Sequence, residues 1–306
     1  MITGMMAAET TQQWRGELSF DEPMAEHTSW RAGGMARRFY KPADVDDLCA
    51  FLGNLDTDEP LLWLGLGSNL LVRDGGFPGT VIYLFGALTE LDWLDDRTLR
   101  AGAGVTCAKV ARVTTQQGLT GVEFLAGIPG TMGGALAMNA GAFGGETWPH
   151  VAAVETVDRR GHRHTRRPSE YRVSYRSVAG PRDEWFVAVH LALQAGDSET
   201  ARNRVRDLLA QRGASQPTQQ YSCGSVFRNP PGDYAARLIE ACGLKGLSRG
   251  GAQVSEKHAN FIVNTGNASA TEIETLLNTV RERVEQEQGV RLEAEVRIVG
   301  VPPAEQ

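Results

Sequence analysis

Two glycine-rich blocks limit what this chain can fold into. The first, Gly65-Leu66-Gly67-Ser68-Asn69-Leu70, lies between the apolar runs Leu61–Leu64 and Thr80–Phe85, which fit short buried strands. The second, Ala126-Gly127-Ile128-Pro129-Gly130-Thr131-Met132-Gly133-Gly134-Ala135, is followed closely by Met138-Asn139-Ala140-Gly141-Ala142. Stretches with so little side-chain volume let something flat or phosphorylated lie against the backbone. The first block is not a Rossmann fingerprint, because Leu70 replaces the third glycine and no amphipathic helix follows. Alone it fits a tight turn between strands. Two such blocks with a strand-and-helix spacer fit a large dinucleotide threaded between two small lobes.

The rest of the chain alternates short strands and helices. Val105–Gln117 reads as a helix capped by Thr106 and stopped by Gly118, and Val151–Val157 and Trp185–Leu193 read as strands. After Gln194-Ala195-Gly196-Asp197, taken as a domain boundary, Ser198–Arg212 places Ala201, Val205, Leu208 and Leu209 on one helical face and ends at Gly213. Ala235–Cys242 is a shorter helix with Asp233 as cap, and Ser269 with Glu272 forms a capping box before a helix ending near Gly289. Arg291–Val299 alternates as one strand, with Leu292, Ala294, Val296 and Ile298 on one face and Glu293, Glu295 and Arg297 on the other. The pattern predicts an α+β fold.

At 306 residues the chain suits two domains, and its net charge of -6, with acids and bases mixed, provides no basic field for nucleic acid or an anionic membrane. No run approaches the roughly 20 apolar residues of a membrane span. The N-terminal segment lacks the pattern of a secretory signal and reads as a polar tail. Cys49, Cys107, Cys223 and Cys242 are scattered, which suits a reducing cytosol better than a disulfide scaffold or zinc site. His162 and His164 flank Arg163 in a polar turn, and no metal site is expected.

Gly33-Gly34-Met35-Ala36, Gly65–Val72 (GLGSNLLV) and Ala126–Ala142 (AGIPGTMGGALAMNAGA) together resemble the flavin-binding blocks of the UDP-N-acetylenolpyruvoylglucosamine reductase (MurB) family. The resemblance runs from about Thr28 to Gly300. It implies a two-lobed FAD-binding domain of the vanillyl-alcohol oxidase (PCMH) type plus a C-terminal α+β substrate domain. It also implies non-covalent FAD, with Gly65, Leu66, Gly67, Ser68, Asn69 and Leu70 at the pyrophosphate. Gly127, Ile128, Pro129, Gly130, Thr131, Gly133, Gly134, Asn139, Gly141 and Ala142 would line the remainder of the cofactor.

The family activity is reduction of the enolpyruvyl ether of a UDP-sugar with NADPH. Such chemistry needs an anion stabiliser, a carboxyl group and an acid that protonates carbon. Gly224-Ser225-Val226-Phe227-Arg228-Asn229-Pro230 resembles the block whose serine donates the proton, which assigns that role to Ser225 and substrate binding to Asn229. Alternation does not choose between Glu293 and Glu295; the family's Glu-Val-Arg motif selects Glu295. Two Tyr-Arg pairs compete for the arginine, Tyr171-Arg172 and Tyr175-Arg176, and Tyr175-Arg176 is preferred, with Arg176 catalytic and Tyr175 substrate-binding. Lys245 and His258 are weaker candidates for phosphate. The short stretch between this arginine and Ser225 matches the family's shorter type, without a tyrosine-bearing insertion.

The expected organisation is a flexible tail over 1–27, an FAD-binding domain over 28–196 in two subdomains of about 28–95 and 96–196, and a substrate domain over 197–306. The expected partners are the UDP-sugar and NADPH, in the cytoplasm. Oligomeric state stays open, with a monomer favoured. The rival expectations are an FAD-dependent oxidase of a small alcohol on the same fold and a non-catalytic flavin or nucleotide-sugar binder.

Overall fold

The computed structural model describes residues 14–304. The first lobe holds β1 (Glu17–Pro23), β2 (Met35–Lys41), α1 (Val45–Gly53), β3 (Leu61–Leu64), β4 (Leu70–Val72) and β5 (Phe77–Tyr83). Its sheet runs β1-β2-β5-β3, antiparallel at β1–β2 and parallel elsewhere. Helix α1 starts at Asp44, whose carboxylate accepts the Asp47 N–H, and buries Leu48, Phe51 and Leu52 against Tyr40 and Ile82. The tail expected through residue 27 is overturned where it is described. Residues 17–23 pair along β2 from Glu17–Lys41 to Pro23–Met35, and His27 stacks on Phe39 at 4.4 Å. Main-chain pairing to the edge of β2 orders this segment, and polar composition carries no trace of it. Residues 1–13 of the expected tail lie outside the described residues.

The second lobe comprises β6 (Leu91–Trp93), β7 (Thr98–Gly102), α2 (Cys107–Gln116), α3 (Met132–Met138), β8 (Val151–Asp158), β9 (Arg163–Arg166), β10 (Arg172–Ser174), β11 (Ser177–Ala179), β12 (Glu184–Ala192) and α4 (Ser198–Ser215). Its antiparallel sheet is ordered β9-β8-β12-β7-β6. Thr106 caps α2 through the Lys109 N–H, as its position suggests. Helix α4 runs through Gly213 to Ser215 and lies against α2 and the turn at Glu123–Gly127. Ser198 Oγ donates to the Thr115 carbonyl at 2.9 Å, and Val205 packs on the second lobe's core. The boundary expected at 196–197 therefore cuts off a helix that belongs spatially with the second lobe. Its apolar face is thin, with Ala201 buried and Leu209 exposed, so the pattern does not reveal which core it meets.

The third unit contains β13 (Tyr221–Ser222), α5 (Ala235–Ala241), β14 (Ser248–Arg249), β15 (Ala252–Val254), β16 (Ile262–Asn264), α6 (Ala270–Gln288) and β17 (Arg297–Val299). Its antiparallel sheet is ordered β13-β16-β15-β14. Both bonds of the Ser269–Glu272 capping box are made, and α6 ends at Gly289 in the left-handed conformation. Ile273, Leu276, Leu277, Val280 and Val284 enter a core that also takes Trp30 and Leu71 from the first lobe. Trp30 Nε1 donates to the Ile262 carbonyl at 2.7 Å, and Asn264 Nδ2 donates to the Trp30 carbonyl at 2.8 Å. Asp233 does not cap α5. Asn229 Oδ1 accepts the Ala235 N–H at 3.1 Å instead, while Asp233 accepts from Arg237 Nε at 2.6 Å.

The uniform strand expected over Arg291–Val299 is also corrected. Strand β17 starts at Arg297 and pairs parallel to β4, directly after the first glycine block. Before it, the N–H groups of Glu295 and Val296 both donate to the Val226 carbonyl, at 2.8 and 3.4 Å. Two residues facing one carbonyl is the pattern of a β-bulge, which breaks the alternation and re-aims a side chain.

Candidate active site

A cavity of about 840 Å³, within the range of ligand pockets, is lined by both glycine blocks, the β10–β11 hairpin, Ser225 and Glu295. Of the proposed cofactor residues, Gly65 to Leu70, Gly127 to Thr131, Gly133, Gly134, Gly141 and Ala142 all reach its wall. The glycines do so for different reasons. A Cβ on Gly65 would collide with Thr131 Oγ1, and Gly67 sits at φ +62° with the His27 carbonyl in the way. Those two positions are glycine because protein lies against them. At Gly130 a Cβ would meet Ile128 Cγ2 at 3.6 Å and Ser68 Oγ at 3.8 Å, and at Gly134 the nearest atom is Thr131 Oγ1 at 3.9 Å. These missing side chains leave room for a bound group.

The cavity is lined as well by Trp63 and Trp185, stacked at 5.0 Å with 15° between their planes. Trp63 Nε1 is buried without a protein partner. Aromatic walls, an unpartnered donor and an open glycine cradle fit a planar, phosphate-bearing cofactor of the flavin-dinucleotide kind. Gly65–Leu70 and Ile128–Gly134 are the segments that would hold it.

Arg176 occupies the turn of the β10–β11 hairpin, where Ser174 pairs with Ser177, and takes φ +54°. A left-handed arginine is strained, and surrounding contacts must hold it. Its Nη2 donates to the Gly141 carbonyl at 3.0 Å. Its Nε lies 2.9 Å from Glu295 Oε1, off the line of the N–H, so the contact is an ion pair rather than a directed hydrogen bond. The bulge beside Val226 turns Glu295 into the cavity wall, and its side chain is 12% exposed. Burial pushes the Glu295 carboxyl above its ordinary value, against the opposing pull of Arg176 and Arg228. Asn69 Nδ2 donates to the Glu295 carbonyl at 3.1 Å and so ties the first glycine block to the acid.

Ser225 lines the same cavity. Its segment is fixed by Asn260, which takes the Phe227 N–H at 3.0 Å, returns a bond to the Phe227 carbonyl at 2.8 Å, and accepts the Val226 N–H on its own carbonyl at 2.9 Å. The fold thus gathers Arg176, Ser225 and Glu295, and it separates the alternatives left open by the sequence. Arg172 is exposed on β10 and Glu293 is exposed before the bulge, and neither lines the cavity.

Three proposed site residues are not brought to the cavity. Asn139 is buried at φ +43° behind the wall; its Oδ1 accepts the Trp148 N–H and its Nδ2 donates to Glu146 and to the Ser174 carbonyl. It supports the hairpin rather than facing a cofactor. Tyr175 is 48% exposed, its ring 5.4 Å from the Arg176 guanidinium carbon. Asn229 is exposed and engaged at the start of α5. Lys245 pairs with Glu240 at 2.8 Å, and His258 packs against Phe261, both away from the cavity lining.

Sequence reasoning passed over Trp63, Trp185 and Arg228. Tryptophans inside strand-like runs carry no signal distinguishing a cavity wall from core, and Arg228 shows its place only through its partners.

Known proteins resemble this chain over nearly its whole length. The family model of the UDP-N-acetylenolpyruvoylglucosamine reductase C-terminal domain matches residues 216–299, and that of an FAD-binding domain matches residues 36–166. The UDP-N-acetylenolpyruvoylglucosamine reductase of Legionella pneumophila (strain Corby) is 57% identical over 300 residues, covering 98% of this chain and 97% of the relative. That of Alkalilimnicola ehrlichii is 60% identical over 296 residues, covering 97% and 99%. The crystal structure of the Thermus caldophilus enzyme superposes with a TM-score of 0.79 at 34% identity, covering 93% of this chain and 98% of the other. The α+β class expected from the element pattern and the flavin-binding fold implied by the family resemblance are borne out.

Proposed function

This chain belongs to the UDP-N-acetylenolpyruvoylglucosamine reductase family, and we propose that Ser225, Arg176 and Glu295 carry out its reaction at one end of the glycine-lined cavity. The protein is an FAD-dependent oxidoreductase that reduces the enolpyruvyl ether of UDP-N-acetylglucosamine to UDP-N-acetylmuramate in peptidoglycan precursor synthesis. NADPH is the proposed reductant.

Bound FAD supplies the hydride added to one alkene carbon. The residues of the chain manage charge and proton. Arg176 presents a planar fork that suits the substrate carboxylate and stays charged throughout. Glu295, whose protonated form burial favours, is suited to share a proton with the enol as it develops. Ser225 Oγ holds the proton for the second carbon. The observation that carries this assignment is the convergence of Arg176, Ser225 and Glu295 on one cavity from three distant segments.

We assign cofactor binding to the first two lobes, including α4, and substrate binding to the unit from about residue 216. The support is the packing of α4 on the second lobe and the separate core beneath α6. A cytoplasmic location is supported by four free thiols, which suit a reducing compartment; no helix among the described residues is long and apolar enough to cross a membrane. The direct test is NADPH oxidation dependent on the enolpyruvyl UDP-sugar, together with release of free FAD on acid denaturation. NADPH oxidation indifferent to the sugar would discard the reading.

A further inference from the structure

A third charged residue, outside the cavity lining, is bonded to the turn that carries Arg176. Arg228 follows Ser225 by three positions in the same segment, and its Nη2 donates to the backbone carbonyl of Arg176 at 3.2 Å. Its own N–H donates to the Glu293 carbonyl at 2.9 Å, and its Nε is buried with no partner. One residue therefore bridges the Ser225 segment, the Glu295 segment and the hairpin turn. The turn needs such a brace, because Arg176 is left-handed without being glycine. Asn139 holds the turn from the other side through the Ser174 carbonyl. Among the described residues, the charges that pull most on Glu295 are those of Arg176, from the hairpin, and Arg228, from the Ser225 segment.

We propose that Arg228 is a positioning residue of the reductase reaction, holding the backbone of Arg176 so that its guanidinium meets Glu295, and adding a second positive charge beside that carboxyl. Arg228 adds positive charge outside the Arg176–Glu295 contact, which favours an anionic group such as the carboxylate of an enolpyruvyl substrate. The role rests on the functional reading above. Its physical logic is that a strained, charged turn must be fixed from outside, since an ångström of drift at a reacting group can slow turnover by about 100-fold.

The test uses FAD-loaded enzyme and separates the two half-reactions by stopped-flow absorbance. Arg228→Met should leave bleaching by NADPH within about twofold of wild type and slow reoxidation by the enolpyruvyl UDP-sugar about 10–100-fold. The pH profile of reoxidation gives the readout that packing alone would not move. Arg228 favours ionised Glu295, so its loss should shift the Glu295-dependent limb to higher pH, and Arg228→Lys should return it. If Arg228→Met does not hold FAD, Arg228→Gln serves instead. It keeps a donor for the Arg176 carbonyl but no charge, so the pH limb should move while the rate falls less. A wild-type rate and profile in the uncharged variants overturns the proposal, as does an Arg228→Lys variant as impaired as Arg228→Met. If wild-type enzyme is not reoxidised by the sugar, the functional reading fails before Arg228 is involved.

Discussion

Arg176 Nε lies 2.9 Å from Glu295 Oε1, and both residues line the cavity that Ser225 lines as well. Glu295 is the carboxylate that Arg176 meets in the fold. An incoming carboxylate must share or replace that contact, so both side chains are committed to one site although they come from a hairpin turn and a bulge in different units of the fold.

Arg176→Ala is expected to damage reoxidation of the flavin by the enolpyruvyl UDP-sugar far more than Arg172→Ala does. Arg176 is in the cavity wall, whereas Arg172 is exposed on β10. Loss of a charge contact to a developing enolate removes about 10²–10³ in rate, by analogy with oxyanion-hole donors. Side-by-side single-turnover rates decide it; equal effects would mean that the turn, not the guanidinium, matters.

Ser225→Ala should divide the two half-reactions. Bleaching by NADPH needs no proton on carbon and should continue. Recovery on adding sugar without oxygen should slow by about 10²–10⁴-fold, the usual contribution of a general acid. Removing one hydroxyl leaves the Asn260 bonds to Val226 and Phe227 in place, so FAD content should be unchanged. Recovery at the wild-type rate would remove Ser225 from the acid role.

Gly130→Leu and Gly133→Leu should fail in different ways. At Gly130 a Cβ makes only ordinary van der Waals contacts, so the fold should persist while FAD is lost. At Gly133 a Cβ already stands 3.0 Å from Ala103 Cβ, so α3 must move and thermal stability should fall too. Melting temperature and bound FAD, measured on each variant, distinguish the cases. Full flavin retention in Gly130→Leu would argue against the assigned cradle.

Glu295 makes stability fall with pH. Burial raises its carboxyl pKa in the folded chain above the ordinary value of 4.5, so the folded state holds a proton that the unfolded state has released. The stabilisation tied to that proton is complete below the unfolded value and is lost as pH rises through the folded one. Across this window wild type should lose thermal stability relative to Glu295→Gln, which does not titrate. Melting curves of both proteins from pH 4 upward test it, and a constant difference between them would contradict the raised pKa.

The elements legible in the sequence are those whose cause is local. The capping box of α6 declares itself in Ser269 and Glu272, the start of α2 in Thr106, and the need for close backbone approach in the glycines of the two blocks. Such features depend on residues a few positions apart, and local hydrogen bonding or steric exclusion is enough to set them. What the glycines approach was not legible. At Gly65 and Gly67 a larger residue would collide with Thr131 and His27, whereas at Gly130 and Gly134 a Cβ meets only ordinary van der Waals contacts, and only the packed lobes distinguish the two conditions.

Only tertiary structure brings the proposed site residues to one cavity. Strand alternation by itself left Glu293 and Glu295 open and two Tyr-Arg pairs competed for the arginine, with only the family resemblance favouring Arg176 and Glu295. A two-residue turn selects Arg176, and two N–H groups converging on the Val226 carbonyl turn Glu295 inward. The same holds for β1, ordered by main-chain pairing to β2, and for α4, which joins the second lobe's core. Each is settled by which distant surface a segment meets, and alternation or composition within the segment carries no record of that surface.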